Sequence, residues 1–160
     1  MLIQKTFHVH QPLTATKARL SNLRSFRRVL EGVREAASRS EGVLRLECKV
    51  GHGFTAIVEL LEIPTDDKTQ TLFRSVDGNM ELVGLVEYFE VKDDLTEVQI
   101  TLDYSIHSSF HSALDSISAS VERFVNRQLR RVRAHLAGVE TIPARDRFAA
   151  PNGFGAQLAH

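Results

Sequence analysis

Two tyrosines, one cysteine, one arginine of ambiguous facing and two spaced histidine pairs are the side chains through which this chain of 160 residues could do chemistry. Tyr88 and Tyr104 close two runs, Leu82, Gly84, Val86, Tyr88 and Val98, Ile100, Leu102, Tyr104, that alternate with mostly polar positions. Such alternation belongs to half-buried strands. Both phenols therefore point to the apolar side of a hairpin, where a buried hydroxyl needs a partner that a ligand or trapped water can provide. Arg74 lies in "TQTLFRSV", a strand that can turn either Leu72, Arg74 and Val76 or Thr71, Phe73 and Ser75 inward. An inward Arg74 is a possible polar anchor for an anionic ligand group. The cost of burying an unpaired guanidinium favours the outward setting.

His8 and His10 share one strand face, and His107 and His111 are four residues apart around a helix start. Either pair could supply two metal ligands, but neither has an evident third ligand nearby in sequence, so surface imidazoles are expected and no metal. Cys48 sits in mid-strand, away from any helix N-terminus, and reads as a small core residue. There is no Gly-x-Ser-x-Gly, no glycine-rich phosphate loop and no acid–base pair of the kind that titrates near neutrality. No catalytic residue and no cofactor are assigned on these grounds.

Lys plus Arg and Asp plus Glu number 20 each, so net charge gives no general attraction to nucleic acid or anionic membranes. The charge is segregated: residues 1–39 hold eight basic and two acidic residues, residues 40–104 five and fourteen, and residues 105–160 seven and four. Segregation of this kind steers association, which makes an interaction module one reading and a homodimer one expected assembly. The arginines of the last helix are a weak nucleic-acid signal without aromatic stacking platforms beside them, and no nucleic-acid partner is expected. A single cysteine rules out an intrachain disulfide, and a reducing, cytoplasmic setting is the default expectation. The start, "MLIQKTFHVHQP", lacks the long apolar run of a secretory signal or membrane span.

The elements that must position these side chains follow from periodicity. Ile3, Phe7 and Val9 predict a first strand ending at Pro12, and Leu13 to Leu30 carries apolar residues at helical spacing. Ser21-Asn22 favours caps over helix interiors and splits that stretch into two short helices. Leu44, Leu46, Cys48 and Val50 alternate into a strand, Gly51-His52-Gly53 turns it, and Phe54 to Ile63 returns. "TQTLFRSV", the Asp77-Gly78-Asn79 turn and the long hairpin complete the sheet. Apolar residues then recur every three or four positions from Phe110 to Leu136, about seven turns of helix. Gly138 stops it, and Arg123, Arg127, Arg130, Arg131 and Arg133 form its solvated face. The predicted order is a strand, two short helices, five strands and a long helix, an α+β domain.

The segment "VDGNMELVGLVEYFEVKDDLTEVQITLDYSI" resembles a pattern of the SRPBCC superfamily, in its START-like and polyketide cyclase/dehydrase-like branches. A Gly and a strand ending in an aromatic and an acidic residue are followed by a turn and a Thr-x-Val strand ending in Tyr. Gly84, Tyr88, Glu90, Thr96, Val98 and Tyr104 carry the likeness, and residues 1–138 can be threaded onto it, leaving 139–160 as a tail. The resemblance implies a helix-grip fold: a curved antiparallel sheet of six to seven strands wrapped around a long C-terminal helix, with two short helices after the first strand. Many relatives begin the first insertion with Ala-Pro-Pro and place Trp in the second short helix. Here "HVHQPLTATK" and Phe26 stand there, so the ligand wall differs.

The implied function is binding of a hydrophobic small molecule, such as a lipid, isoprenoid quinone or polyketide-like ring system, between sheet and helix. Strand parity on that fold gives Leu46, Cys48, Val58, Val86, Tyr88, Leu102 and Tyr104 as lining candidates. Phe26 joins them from the short helices, and Ile117, Val121 and Phe124 from the last. The alternative of another class is a cyclase or dehydratase in which Tyr88, Tyr104 or an inward Arg74 polarises an oxygen. The fold also implies an entrance where Phe26, Val29 and Leu30 face His107, Phe110 and Leu114. The tail then begins about 40 Å from that entrance along the helix, and "VETIPARDRF" is expected to run outside the sheet or onto a partner chain, anchored by Phe148 and Phe154.

Overall fold

A computed structural model describes residues 1–38, 40–51, 53–107 and 114–138. One seven-stranded sheet holds β1 (Leu2–Val9), β2 (Val33–Ala36), β3 (Val43–Gly51), β4 (Phe54–Ile63), β5 (Gln70–Gly78), β6 (Met80–Lys92) and β7 (Leu95–Ile106). Every neighbouring pair is antiparallel in the order β1-β7-β6-β5-β4-β3-β2. Two short helices, α1 (Leu13–Arg19) and α2 (Leu23–Val29), follow β1, and α3 (Leu114–Leu136) follows β7. This is the α+β domain that periodicity predicts, with the curved sheet around a C-terminal helix that the resemblance implies. One strand was not predicted: β2 offers only Val33 to the core, too little alternation to be read, and it pairs Val33 with Cys48 at the sheet edge.

Local chemistry explains the breaks. Asn22 caps α2, its Oδ1 accepting from Ser25 N at 2.9 Å, and Glu62 Oε2 accepts from Leu23 N at 3.1 Å. The sheet bends where the register slips between Lys49 and Gly51, between Glu59 and Leu60 and between Glu90 and Lys92. At the second slip Gly78 has φ +120°, and a Cβ there would lie 2.1 Å from Ile57 O. The Asp77-Gly78-Asn79 turn is a sheet corner: Asn79 Oδ1 accepts from Ile57 N and Asn79 Nδ2 donates to Thr55 O, both at 2.8 Å. A side chain thus completes the β4 ladder.

Val86, Tyr88, Val98, Ile100 and Tyr104 lie on the concave face with Ile117, Val121, Val132 and Leu136 of α3, all at most 3% exposed. Burying that continuous apolar surface is the main term holding α3 to the sheet. The arginine face of α3 is only partly solvated. Arg131 donates to Val29 O and to Glu31 Oε2, both at 3.0 Å, and the Arg127 guanidinium sits 5.3 Å over the Phe124 ring. Beside Arg131, buried Gln128 accepts from Glu31 N and donates to Glu31 O, each at 2.9 Å.

These bonds move the expected entrance. The segment after α2 meets α3 at Gln128 and Arg131, about 20 Å along the helix from Leu114, and so does not face the start of α3. Gly138 ends α3 with φ +74°, close enough to α1 that a Cβ there would lie 3.2 Å from Arg19 Nη2. Gly138 therefore sits beside the end of α1, so the C-terminal end of α3 is not far from the short helices as expected. Residues 139–160, Phe148 and Phe154 among them, lie outside the described residues, as do Phe110, His111 and the Leu114 side chain.

Gln128→Leu is expected to strip both bonds from the Glu31 backbone and cost about 2–3 kcal/mol. Thermal unfolding should show the midpoint falling by about 5–10 °C. An unchanged midpoint would mean that the clamp is not needed to seat α3.

Candidate functional site

Between the concave face, α2 and α3 lies a cavity of about 140 Å³. Its wall combines inward positions of β2 to β7 with one face of each helix. Leu46, Cys48, Val58, Leu102 and Tyr104 line it from the sheet, Phe26 from α2, and Val121 and Phe124 from α3, all at positions the sequence singles out. Val86, Tyr88 and Ile117 are brought into the same core without touching the cavity. Arg74 is exposed on the opposite face, and Phe73 takes the inward position.

The Phe73 ring explains part of the cavity's limit. It lies across Gly84, the register partner of Phe73, where a Cβ would stand 2.1 Å from the ring. The same ring meets Phe26 at 5.9 Å between centroids and 56° between planes, a tilted geometry that aromatic pairs favour. Met80 and Leu82, on one side of Gly84, line the cavity, whereas Val86 and Tyr88, on the other, are at most 1% exposed in solid core. A glycine in mid-strand, with its partner aromatic on the inward parity, was the signal that could have settled the facing of Arg74.

Sequence reasoning also missed most of α2. Leu23, Phe26, Arg27 and Leu30 all line the cavity, at the i, i+3, i+4, i+7 spacing of one helix face. Gln128, Leu129 and Val132 extend the α3 wall toward the helix C-terminus. Few polar groups reach this wall, and most are engaged elsewhere. The Tyr104 hydroxyl donates to Met1 Sδ at 2.8 Å, and its phenol is raised in pKa by burial and then by the charge of Glu122. Burial pushes the Cys48 thiol up to about 11. The Gln128 amide is spent on Glu31. Arg27 differs, because its Nε is buried with no hydrogen-bond partner. Tyr88, though outside the cavity, also buries an unpartnered hydroxyl, and burial raises its pKa strongly.

No carboxylate or imidazole is among the described lining residues, so nothing there pairs an acid with a base. One histidine of each pair finds a carboxylate at the surface instead: His8 Nε2 lies 3.2 Å from Glu97 and His107 Nε2 3.1 Å from Glu81. Among the described residues no three His, Cys, Asp or Glu side chains come together as a metal site. Nor is any helix among them long and apolar enough to cross a membrane. A second, polar depression on the outer side is lined by Arg45, Glu59 and Asp77. There Arg45 is already bridged to Glu59 at 3.2 Å and Glu47 at 3.4 Å.

A seven-stranded antiparallel sheet closed over one long helix, with paired short helices after the first strand, is an SRPBCC-like helix-grip fold. Three solved structures match over most of their length. A Thermus thermophilus protein of 16% identity superposes with a TM-score of 0.64, covering 88% of this chain and 100% of that one. The Zhui aromatase/cyclase of a Streptomyces species, 15% identical, gives 0.66 over 86% of this chain and 92% of its own. A START superfamily protein from Mycobacterium smegmatis, 14% identical, gives 0.59 over 86% and 94%. No family model and no curated protein matches the sequence. Likeness at these identities carries the fold, and function rests on the cavity.

Proposed function

We propose that the protein binds a small hydrophobic molecule in the cavity between sheet and α3. The observation that carries this reading is an apolar void of about 140 Å³ with a wall drawn from both layers. In a close-packed interior, voids larger than a water molecule are few. One this apolar offers water few hydrogen-bond partners, which favours an apolar occupant. An apolar void of about 150 Å³ holds a benzene ring, so a single ring or a short chain fits here. A fused multi-ring system or long isoprenoid would have to open the site or leave much of itself outside. The cyclase-like alternative gains no support from the wall, since no two free polar groups converge on a reacting atom.

Cys48 gives a built-in reporter. It lines the cavity, and with its thiol pushed from 9.0 to about 11 almost none is thiolate at pH 8. Iodoacetamide should alkylate it slowly at pH 8 and progressively faster as the pH approaches 11. Saturating toluene should slow the pH 8 reaction by about tenfold if it occupies the space beside the sulfur, since a nine-tenths occupied site leaves a tenth reactive. An unchanged rate, with the unfolded chain reacting normally, would count against occupancy of the cavity.

A further inference from the structure

Arg27 is the cation of α2 that belongs to the cavity. It stands at i+4 from Leu23 and next to Phe26, both of which share the wall with it, yet its Nε is buried and unpartnered. Arginine commonly lays its stem along apolar surface and keeps its head toward water. Arg27 is half-buried, which fits a stem in the wall and a guanidinium at the rim. Among the described residues no carboxylate answers it: Arg24, one turn earlier on α2, is bridged to Glu35 at 3.2 Å, and Arg131 on the facing helix is bridged to Glu31 at 3.0 Å. Arg28 next to it is exposed and no acidic residue occurs in the first turn of α2. A guanidinium whose nitrogen is stripped of water without a replacement acceptor is costly. An acceptor that arrives with the ligand would offset that cost.

We infer that the cavity takes an amphiphilic anion, a single-ring or short-chain molecule whose apolar body fills the void and whose carboxylate is bound at the rim by Arg27. The inference rests on the binding function proposed above and adds the sign of charge and its place. Arginine suits the role because its planar fork presents parallel N–H donors to a carboxylate. The size of the void restricts the apolar part, and the rim position leaves the carboxylate partly hydrated, so that the charge is never carried into the apolar interior.

The test is calorimetric titration of the full chain with two matched probes, 3-phenylpropanoate and 3-phenylpropan-1-ol, which share the ring and spacer and differ in head charge. The acid should bind about tenfold more tightly than the alcohol at low salt, the factor one charge-assisted hydrogen bond supports. Arg27→Met should bring the acid-to-alcohol affinity ratio down to about one, and Arg27→Lys should retain part of the preference. The preference should also shrink at high ionic strength. Equal affinity for the two probes in the unsubstituted protein would overturn the anionic assignment while leaving apolar binding intact. So would Arg27→Met weakening both equally. Failure of both probes to bind the folded protein would overturn the cavity reading along with it.

Discussion

Replacing Ala56 with leucine is expected to abolish binding of a single-ring apolar probe while leaving the protein at least as stable as before. Ala56 is 2% exposed, pairs with Cys48 across β3 and β4, and lines the cavity. Leucine adds three carbons at that spot. In a filled core the addition forces neighbours off their rotamers and costs about 1–3 kcal/mol. Beside a void the same carbons are buried without displacement, and each methylene contributes about 0.8 kcal/mol, so a gain of up to about 2 kcal/mol is available. The sign of the stability change therefore reports whether the space is empty. Toluene affinity should fall at least about 30-fold, the equivalent of about 2 kcal/mol. Destabilisation with unchanged toluene binding would place the ligand site elsewhere.

Gly84→Ala should act in the opposite sense and be among the most damaging small substitutions in the sheet. Its Cβ would stand 2.1 Å from Phe73 Cζ and 2.3 Å from Cε2, distances that force the ring to move. The ring also packs against Phe26 at 5.9 Å between centroids, so moving it disturbs the contact with α2. A loss of about 2–3 kcal/mol is expected from overpacking, with the unfolding midpoint lowered by about 5–10 °C. Phe73→Leu in the same chain should relieve the clash, making the pair less damaging than the sum of the two changes by at least about 1 kcal/mol. Strict additivity would show that the glycine is required for its backbone instead.

The sheet and α3 were legible because their periods are clean. The Leu82 to Tyr88 and Val98 to Tyr104 runs alternate, and Phe110 to Leu136 repeats every three or four residues, so both faces could be assigned without knowing what covers them. Ser21-Asn22 announced the gap between α1 and α2, and Asn22 does cap α2. Of the seven sheet residues that parity chose, Leu46, Cys48, Val58, Leu102 and Tyr104 line the cavity, and eight other sheet positions, Ala56 and Phe73 among them, line it unchosen. Parity could not say where along a strand the void ends, which is why Val86 and Tyr88 share the inward face and miss the cavity. That limit depends on register, on which strand partner of Gly84 is aromatic, and on how far the ring reaches.

Polar residues at the site were less legible for a related reason. Arg27 looked like one of many basic residues in "LRSFRRVL", and its place on the apolar stripe shows only when Leu23, Phe26 and Leu30 are taken as one face. Arg131 read as part of the solvated side of a long helix and Gln128 was not singled out, whereas both bind a segment about 100 residues away. No local pattern encodes a contact of that separation. The same bonds move α2 to the C-terminal half of α3 and correct the entrance that the resemblance implied. Arg74 faces outward, as the desolvation cost favours, and the cation on the cavity wall is Arg27 of α2.

The most direct test of the central claim is a toluene titration of the isotopically labelled protein followed by amide and methyl NMR. Occupation of the cavity predicts saturable shifts at Leu46, Val58, Leu102 and Val121, smaller ones at Val86 and Ile117, and none at Val83, which is 49% exposed on the outer face. In Ala56→Leu those shifts should vanish. Absence of saturable shifts at the lining methyls, or shifts confined to the outer face, would contradict a ligand-binding cavity between the sheet and α3.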